Sequence, residues 1–217
     1  MRNKAGVLCL IVVLSAAVAV AQQPVRVPNP HDIYCSGVVT KDAIPSDTYL
    51  ISGEGSAYRA TFAAGDFVYI NKGSSAGVKV GDEFLLMRPI KNPSHIKWFE
   101  YQPSLAAAMG TVWADIGRVR VASVQPNVST ALIVYACGFV NRGDIARPFA
   151  ERPAPPLRPA NLNHFLAPSG KQTGMVVLAL DWAQAVGMND IIYVNLGSAQ
   201  GAKVGDYFRI YRYQGTR

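Results

Sequence analysis

The sequence is poor in the residues that enzymes use for nucleophilic and metal chemistry. Among its 217 residues there are three cysteines and three histidines. It contains no H-E-x-x-H, no C-x-x-C, no G-x-x-x-x-G-K-[ST] and no G-x-G-x-x-G, which are the short motifs of zinc proteases, redox thiols and nucleotide sites. The closest approach to a metal pair is His31-Asp32, and two ligands do not make a site. We therefore predict a non-catalytic protein without a cofactor or metal.

An apolar run at the N-terminus has the layout of a secretory signal peptide. Arg2 and Lys4 precede the run Ala5–Val18, and Ala19-Val20-Ala21 is an A-x-A cleavage site. The alternative is an uncleaved anchor, because the run is near the lower limit for spanning a bilayer. We predict cleavage after residue 21 and an exported protein, periplasmic or associated with the outer envelope. It would meet the membrane only through its signal peptide.

Cleavage would leave two cysteines, Cys35 and Cys137. An even number of cysteines in an oxidising compartment suggests a disulfide. This one would close a loop of about a hundred residues and stabilise the fold by roughly 4–5 kcal/mol in the chain-entropy model. The alternative is two unpaired buried thiols.

The chain carries an excess of positive charge. Its formal net charge is +7, and without Arg2 and Lys4 the 19 remaining basic and 14 acidic residues give +5. Such an excess suits acidic envelope polymers or anionic lipid surfaces, although scattered charges also serve solubility. Nucleic acid is not an expected partner, because the sequence has no basic helix and no nucleic-acid-binding motif.

One stretch of the chain occurs twice. Asp66–Arg88 and Asp190–Arg212 align without a gap and are identical at 12 of 23 positions, a density that indicates an internal repeat. In each copy two strands with period-two apolar residues flank a glycine-rich connection. We interpret this connection as a tight turn and not as a phosphate cradle, because a phosphate loop leads into a helix.

These patterns predict an all-β fold: a small β-barrel or sandwich module, and a second, partial copy of its opening β-hairpin motif after a Pro-rich linker. We expect the first strand at Ile33–Thr40, a helix at Ser104–Met109 with Ser104 as its N-cap, separate strands at Gly110–Ala114 and Arg118–Val124, and a last strand at Tyr207–Tyr213. The predicted segments are a signal peptide (1–21), an extended leader (22–31), a first β module (32–146), a linker (147–174) and a partial second module (175–217).

The second copy has no counterpart of the roughly sixty residues that follow Arg88 in the first. It could complete itself by packing on the first copy or on a partner. The sequence could also be a truncated product of a longer chain, and we favour this explanation slightly, because an exposed apolar strand is an aggregation hazard.

Aromatic side chains form the candidate recognition surface. Three lie in the irregular insertion Pro89–Pro103, and the others flank a basic residue on the face of the second copy that differs from the first. Aromatic rings could stack on sugars, or they could fill a small β core. The candidate residues are Trp98, Phe99, Tyr101, Tyr207, Arg209 and Tyr211.

The repeated motif also resembles a known family. The pattern [VI]-Y-[IV]-N-x-G-S-x-x-G-x-K-V-G-D-x-F, with the later Gly117–Val121 and Gly143-Asp144, is similar to a β-rich module of exported Gram-negative proteins. That module is found attached to peptidoglycan-binding LysM domains, and it resembles the C-terminal domain of flagellar assembly protein T. The resemblance covers Asp66–Asp144 and Asp190–Arg212, includes no LysM domain, and implies a non-catalytic envelope part.

Two functions from different classes follow. The first is a cell-envelope binding or scaffolding protein whose partner is an envelope polymer, such as peptidoglycan, or another envelope protein. The second is a secreted hydrolase of envelope glycans with carboxylates such as Asp115 or Glu100 as acid and base. The second requires two carboxylates about 5–10 Å apart in one cleft.

Overall fold

The computed structural model of the protein describes residues 28–55, 58–93, 96–154, 167 and 170–212. The predicted signal peptide, most of the predicted leader and much of the predicted linker lie outside the described residues. The same holds for His95, His164 and residues 213–217.

Strands dominate the described residues, which confirms the predicted all-β fold class. The strands are β1 (Val38–Thr40), β2 (Leu50–Gly53), β3 (Thr61–Phe62), β4 (Phe67–Ile70), β5 (Glu83–Ile90), β6 (Thr111–Val124), β7 (Ser129–Ala136), β8 (Val140–Asn141), β9 (Ile145–Pro148), β10 (Val176–Ala179) and β11 (Ile192–Val194). The helices of this part of the chain are α1 (Pro30–Tyr34) and α2 (Gln102–Met109), with 3₁₀ turns at Ser74–Ala76, Leu180–Trp182 and Ser198–Gln200. Neither helix is long and apolar enough to cross a membrane.

Strand β6 is the centre of the main sheet. This sheet has seven strands among the described residues, in the order β2-β4-β7-β6-β5-β9, with β1 paired to β6, and every pair is antiparallel. Along one edge β6 pairs with β5, and along the other it pairs with β7 and then β1. Backbone hydrogen bonds also join the two ends of this order, from Leu50 N to Asp144 O and from Ala146 N to Thr48 O, each 2.9 Å.

Alternation along these strands produces the core. Val119 and Val121 of β6 are buried, whereas Arg118 and Arg120 between and beside them point to the other face and pair with Glu83 of β5. This period-two pattern is that of a sheet with one packed face. The largest fully buried side chains of the main core are Leu50, Phe62, Val68, Ile70, Leu86, Val119, Val121, Ile133 and Val140.

The predicted first strand is wrong over its first half. Pro30–Tyr34 is helix α1, and Cys35 is its C-cap residue and lies outside any strand. The Asn29 side chain accepts the N–H of His31 at 2.6 Å, and the Asp32 carboxylate accepts the N–H of Asn29 at 3.2 Å. This capping box, with Pro30 in the first helical turn, starts a helix where the predicted leader was extended.

Three other predicted boundaries also need correction. Helix α2 begins at Gln102 with Tyr101 as N-cap, not at Ser104, because Pro103 fits the first helical turn. The two strands predicted at Gly110–Ala114 and Arg118–Val124 are one strand, β6. The predicted linker begins too early, because β9 extends to Pro148.

The second copy reproduces the opening of the first. Strand β10 pairs with β11 as β2 pairs with β4, and each pair has a register shift at the same place. The predicted strand at Tyr207–Tyr213 is wrong over its described part, because residues 207–212 form no strand. Their counterpart β5 lies between β6 and β9, and the described residues offer the second copy no such neighbours.

The first turn of the motif is packed under the β6–β7 connection, and this predicts different tolerance in the two copies. A Cβ at Gly73 would collide with the backbone of Gln125 and Pro126, whereas at Gly197, the same repeat position, the nearest atom is Gln200 Oε1 at 3.7 Å. Neither glycine has a positive φ. We expect Gly73→Ala to lower the free energy of unfolding by about 1–3 kcal/mol, and Gly197→Ala to be nearly neutral, in denaturant titrations. Equal effects would contradict this packing.

Candidate functional site

A disulfide fastens the N-terminal segment to the main sheet. Cys35 and Cys137 are bonded, with Cα atoms 5.5 Å apart and a sequence separation of 102 positions. Cys35 follows α1 and is buried, and Cys137 follows β7. The predicted pairing is confirmed, and the bridge ties the first described helix to the end of a central strand.

A buried ion pair fastens the same segment a second time. Arg152 donates from Nη1 to Asp115 Oδ2 at 2.5 Å and from Nη2 to Asp115 Oδ1 at 2.9 Å, and Gly37 N–H donates to Oδ2 at 2.9 Å. Arg152 also donates to Ile33 O at 3.0 Å. The hydrogen bond to Asp115 raises the pKa of Arg152 although burial opposes it. Asp115, a candidate acid or base, thus has both oxygens engaged, and Glu100 is exposed.

The second copy packs on a surface that includes Ser36, Trp98 and Gln102, which we call the platform. Tyr193 of β11 donates its hydroxyl to Ser36 O at 2.5 Å. Gln102 Nε2 donates to Val177 O at 2.7 Å, and Trp98 Nε1 donates to Gln184 O at 3.0 Å. A small separate core forms here from α2, β10 and the start of β6, with buried Ala106, Val112, Val177 and Leu178.

The insertion between β5 and α2 therefore contributes to the packing of the second copy. It supplies Trp98 to the docking contact and also walls a cavity of about 530 Å³ against α2. The cavity wall includes apolar Ile90, Val112 and Trp182, together with Lys97. A volume of this order suits a small ligand.

The two copies of the motif agree hydrogen bond by hydrogen bond. In each copy one aspartate precedes the strand before the turn, which is β4 or β11, and an asparagine directly follows that strand. A second aspartate ends the glycine-rich turn. The first aspartate accepts from Ala63 N in the first copy (Asp66, 2.8 Å) and from Gly187 N in the second (Asp190, 2.6 Å). The asparagine accepts from Tyr49 N in the first copy (Asn71, 2.8 Å) and from Met175 N in the second (Asn195, 2.7 Å). The second aspartate accepts from Lys79 N in the first copy (Asp82, 2.9 Å) and from Lys203 N in the second (Asp206, 2.8 Å). In the first copy the bond from Ala63 lowers the pKa of Asp66.

Glycine is required at the same turn positions in both copies. Gly77 and Gly201 have φ angles of 84° and 83°, and each closes a 3₁₀ turn. Side chains rarely adopt this left-handed region. The shared aspartates and asparagine of the motif, together with Gly77 and Gly201, are therefore explained by the turn and by the three matched bonds.

The copies differ in the strand that leaves the turn. Phe84 and Leu86 of β5 are 8% and 0% exposed, whereas their counterparts Phe208 and Ile210 are 52% and 70% exposed. The turn residues Val80 and Val204 are exposed to a similar degree, 66% and 70%. The contrast is largest in the segment that β6 and β9 cover in the first copy, although Val68 and Val78 are also more buried than their counterparts Ile192 and Ala202.

An arginine that ends both copies has a buried partner in only one of them. Arg88 donates to the buried carboxylate of Asp144 from Nε at 2.6 Å and from Nη2 at 2.8 Å. Its counterpart Arg212 has no ion pair with any described residue. The identity of Arg88 and Arg212 in the repeat is the sequence signal that points to this position.

The structure divides the predicted recognition surface into two groups. Trp98 is half-buried in the docking contact, and Phe99 and Tyr101 pack ring against ring at 4.9 Å beside it, Tyr101 reaching Met175 Sδ at 3.8 Å. Tyr207 and Tyr211 are exposed on the uncovered segment 207–212, where Arg209 donates to Ala167 O at 3.1 Å.

Five consecutive residues in the turn of the first copy match the sequence pattern of a hydrolase motif. Gly73-Ser74-Ser75-Ala76-Gly77 reads G-x-S-x-G. In hydrolases this motif is a strand-to-helix elbow with a paired histidine. Here Ser75 lies in a 3₁₀ turn between two strands, and its N–H donates to Pro126 O at 3.0 Å. No group of three potential metal ligands occurs among the described residues.

The described residues form an all-β structure in which the main sheet and the second copy of the motif are in contact. Comparisons with family models, curated proteins and solved structures find no match to the chain.

We expect the disulfide to contribute much of the stability of the main unit. The double variant Cys35→Ser, Cys137→Ser should unfold with a free energy about 2–5 kcal/mol lower than that of the oxidised protein, because the unfolded chain loses its cross-link. Denaturant titration of the mature chain measures this. The wild-type protein in reductant should fall to the same value, and an unchanged midpoint in both would contradict the prediction.

Docking of the second copy should weaken at high pH. Burial, aided by the negative charges of Asp115 and Asp181, raises the pKa of Tyr193 to about 12. An unfolded tyrosine ionises near pH 10, so the contribution of Tyr193 is complete below about pH 10 and is lost between about pH 10 and 12. Unfolding free energies over this range should fall more steeply for wild type than for Tyr193→Phe.

The exposed Tyr211→Phe variant serves as the control for this experiment and should follow the wild-type curve. Identical pH slopes for wild type and Tyr193→Phe would show that this hydroxyl does not couple docking to pH.

Proposed function

We propose that the protein is an exported, non-catalytic binding or scaffolding protein of the cell envelope, and that its incomplete second copy binds another envelope protein. One observation carries the proposal. The segment 207–212 exposes the apolar side chains that the first copy buries, and it is held on a platform that a disulfide and a buried ion pair fasten.

Export is supported by the bridge between Cys35 and Cys137. Structural disulfides persist in oxidising compartments and are rare in the cytosol. The N-terminal run of the sequence has the matching layout of a secretory signal peptide. A periplasmic or outer-envelope location fits both features.

A binding role is also favoured over hydrolysis of envelope glycans. Glycoside hydrolysis needs one carboxyl group free to donate a proton and another free to activate water or attack. The oxygens of Asp115 are held by Arg152 and by the Gly37 N–H. This carboxylate has the environment of a structural ion pair.

The exposed segment favours a polypeptide partner over a polymer such as peptidoglycan. An unpaired strand presents backbone N–H and C=O groups in a row, and a second strand satisfies them while its side chains cover the apolar ones. The cluster of Phe208 and Ile210 offers that combination.

A pull-down with matched variants tests this function. The mature chain, residues 22–217, is used as bait for envelope extract, beside Ile210→Glu and the control Val80→Glu. Ile210 and Val80 are about equally exposed, 70% and 66%, but Val80 lies in the complete copy. We expect wild type and Val80→Glu to retain the same envelope protein and Ile210→Glu to lose it, because a charge would be buried at the contact.

Sedimentation with purified peptidoglycan runs in parallel. Retention of the polymer by all three proteins, without a captured protein that depends on Ile210, would replace the protein partner by a polymer. Equal capture by Ile210→Glu and wild type would overturn the proposed site.

A further inference from the structure

We infer that segment 207–212 binds an antiparallel strand of a partner protein, and that this strand places a carboxylate opposite Arg212. The inference rests on the proposed function and adds the chemistry and register of the partner. It is drawn from the first copy, which shows how the same motif is covered when it is complete.

The first copy supplies the register. Strand β9 runs antiparallel to β5 with Phe84 opposite Pro148, Leu86 opposite Ala146 and Met87 opposite Ile145. The next pair in this register is Arg88 and Asp144. An offset of 124 residues transfers β5 onto segment 207–212, so the corresponding positions are Phe208, Ile210, Tyr211 and Arg212.

The ion pair in the first copy shows what Arg212 lacks. Asp144 is 2% exposed and accepts from Arg88 and from the N–H of Asn141, the latter at 2.7 Å. It stands at the start of β9, directly after the turn glycine Gly143. A covering strand of the same type would begin with an acidic residue and continue with small and apolar residues.

No carboxylate among the described residues fills that position. All 14 Asp and Glu side chains of the given sequence lie within the described residues, and none of them pairs with Arg212. We assign the carboxylate to the partner.

Charge also argues against a second copy as the partner. When two copies of the segment are aligned antiparallel so that Arg212 meets Asp206, Arg209 falls opposite its own counterpart. Like charges directly opposite each other destabilise a pair of strands, and the chain has a net charge of +7. A partner strand with a second acidic residue, opposite Arg209, complements both arginines.

A synthetic peptide tests this inference directly. The probe has the sequence of residues 141–149 with the substitution Arg147→Glu, so that its acidic residues meet Arg212 and Arg209. The protein is the ¹⁵N-labelled mature chain, residues 22–217, and binding is followed by amide chemical shifts. We expect the shifts to concentrate at residues 206–212, because the strand adds there.

The pairing of charges is tested by variants on both sides. Either the peptide variant Asp144→Asn or the protein variant Arg212→Ala should weaken binding about tenfold, the effect of one charge-assisted pair, and the two together should weaken it no further. Arg147→Ala in the protein removes the same charge from the complete copy and should leave binding unchanged.

Three results would overturn the inference. The first is equal affinity for the peptide with and without the substitution Asp144→Asn, and the second is the absence of shifts at residues 206–212. The third is a wild-type dimer in sedimentation velocity that disappears in Ile210→Glu, which would make the partner a second copy. If the envelope pull-down still depends on Ile210 in the first two cases, the proposed function stands and only the register and charge are wrong.

Discussion

The need to pair the backbone of an apolar strand on both edges organises this protein. Buried N–H and C=O groups left without partners are costly, and an uncovered strand edge attracts other chains. In the complete unit β6 meets this need, because it pairs with β5 on one edge and with β7 and β1 on the other. Hydrogen bonds between the start of β2 and β9 then join the ends of the sheet. The second copy has β10 and β11 but, among the described residues, no counterpart of β6.

Two ion pairs reinforce this sheet, one near the junction of its ends and one on its central strand, and both use a carboxylate with little exposure. Asp144 binds Arg88 near the junction of β2 and β9, and Asp115 binds Arg152 beneath the N-terminal segment. Removing one member of a buried pair leaves an uncompensated charge and costs about 3–5 kcal/mol. A buried ion pair adds little to the net free energy of unfolding. The main effect of these two pairs is therefore to fix the arrangement of the chain segments that they join. Because Arg152 and Cys35 act on the same segment, the platform that carries the second copy is fastened at two separate points.

Sequence patterns predicted the parts of the fold that depend on near neighbours. The repeat, the all-β class and the disulfide followed from identity, periodicity and a count of two cysteines. The continuity of β6 did not, because its middle contains the buried Asp115 and Gly117, which is packed against Tyr135 O. Such residues interrupt an apolar pattern, and only distant partners make them fit a strand. The predicted recognition residues separate for the same reason. Trp98 Nε1 donates to Gln184 O, 86 positions along the chain, whereas Tyr211 is exposed. No local pattern around an aromatic residue shows which of these two environments it has.

The duplication separates what a sequence determines locally from what it leaves to its surroundings. Both copies form the same turn, with Gly77 and Gly201 at nearly the same φ and the same aspartate bond after it. The strand that follows keeps an identical phenylalanine and arginine in both copies, yet it is a strand only where β6 and β9 flank it. The motif thus encodes a turn together with a segment that becomes a strand when another strand is supplied. In the first copy β6 and β9 supply the neighbouring strands, whereas in the second copy Phe208, Ile210 and Arg212 are exposed.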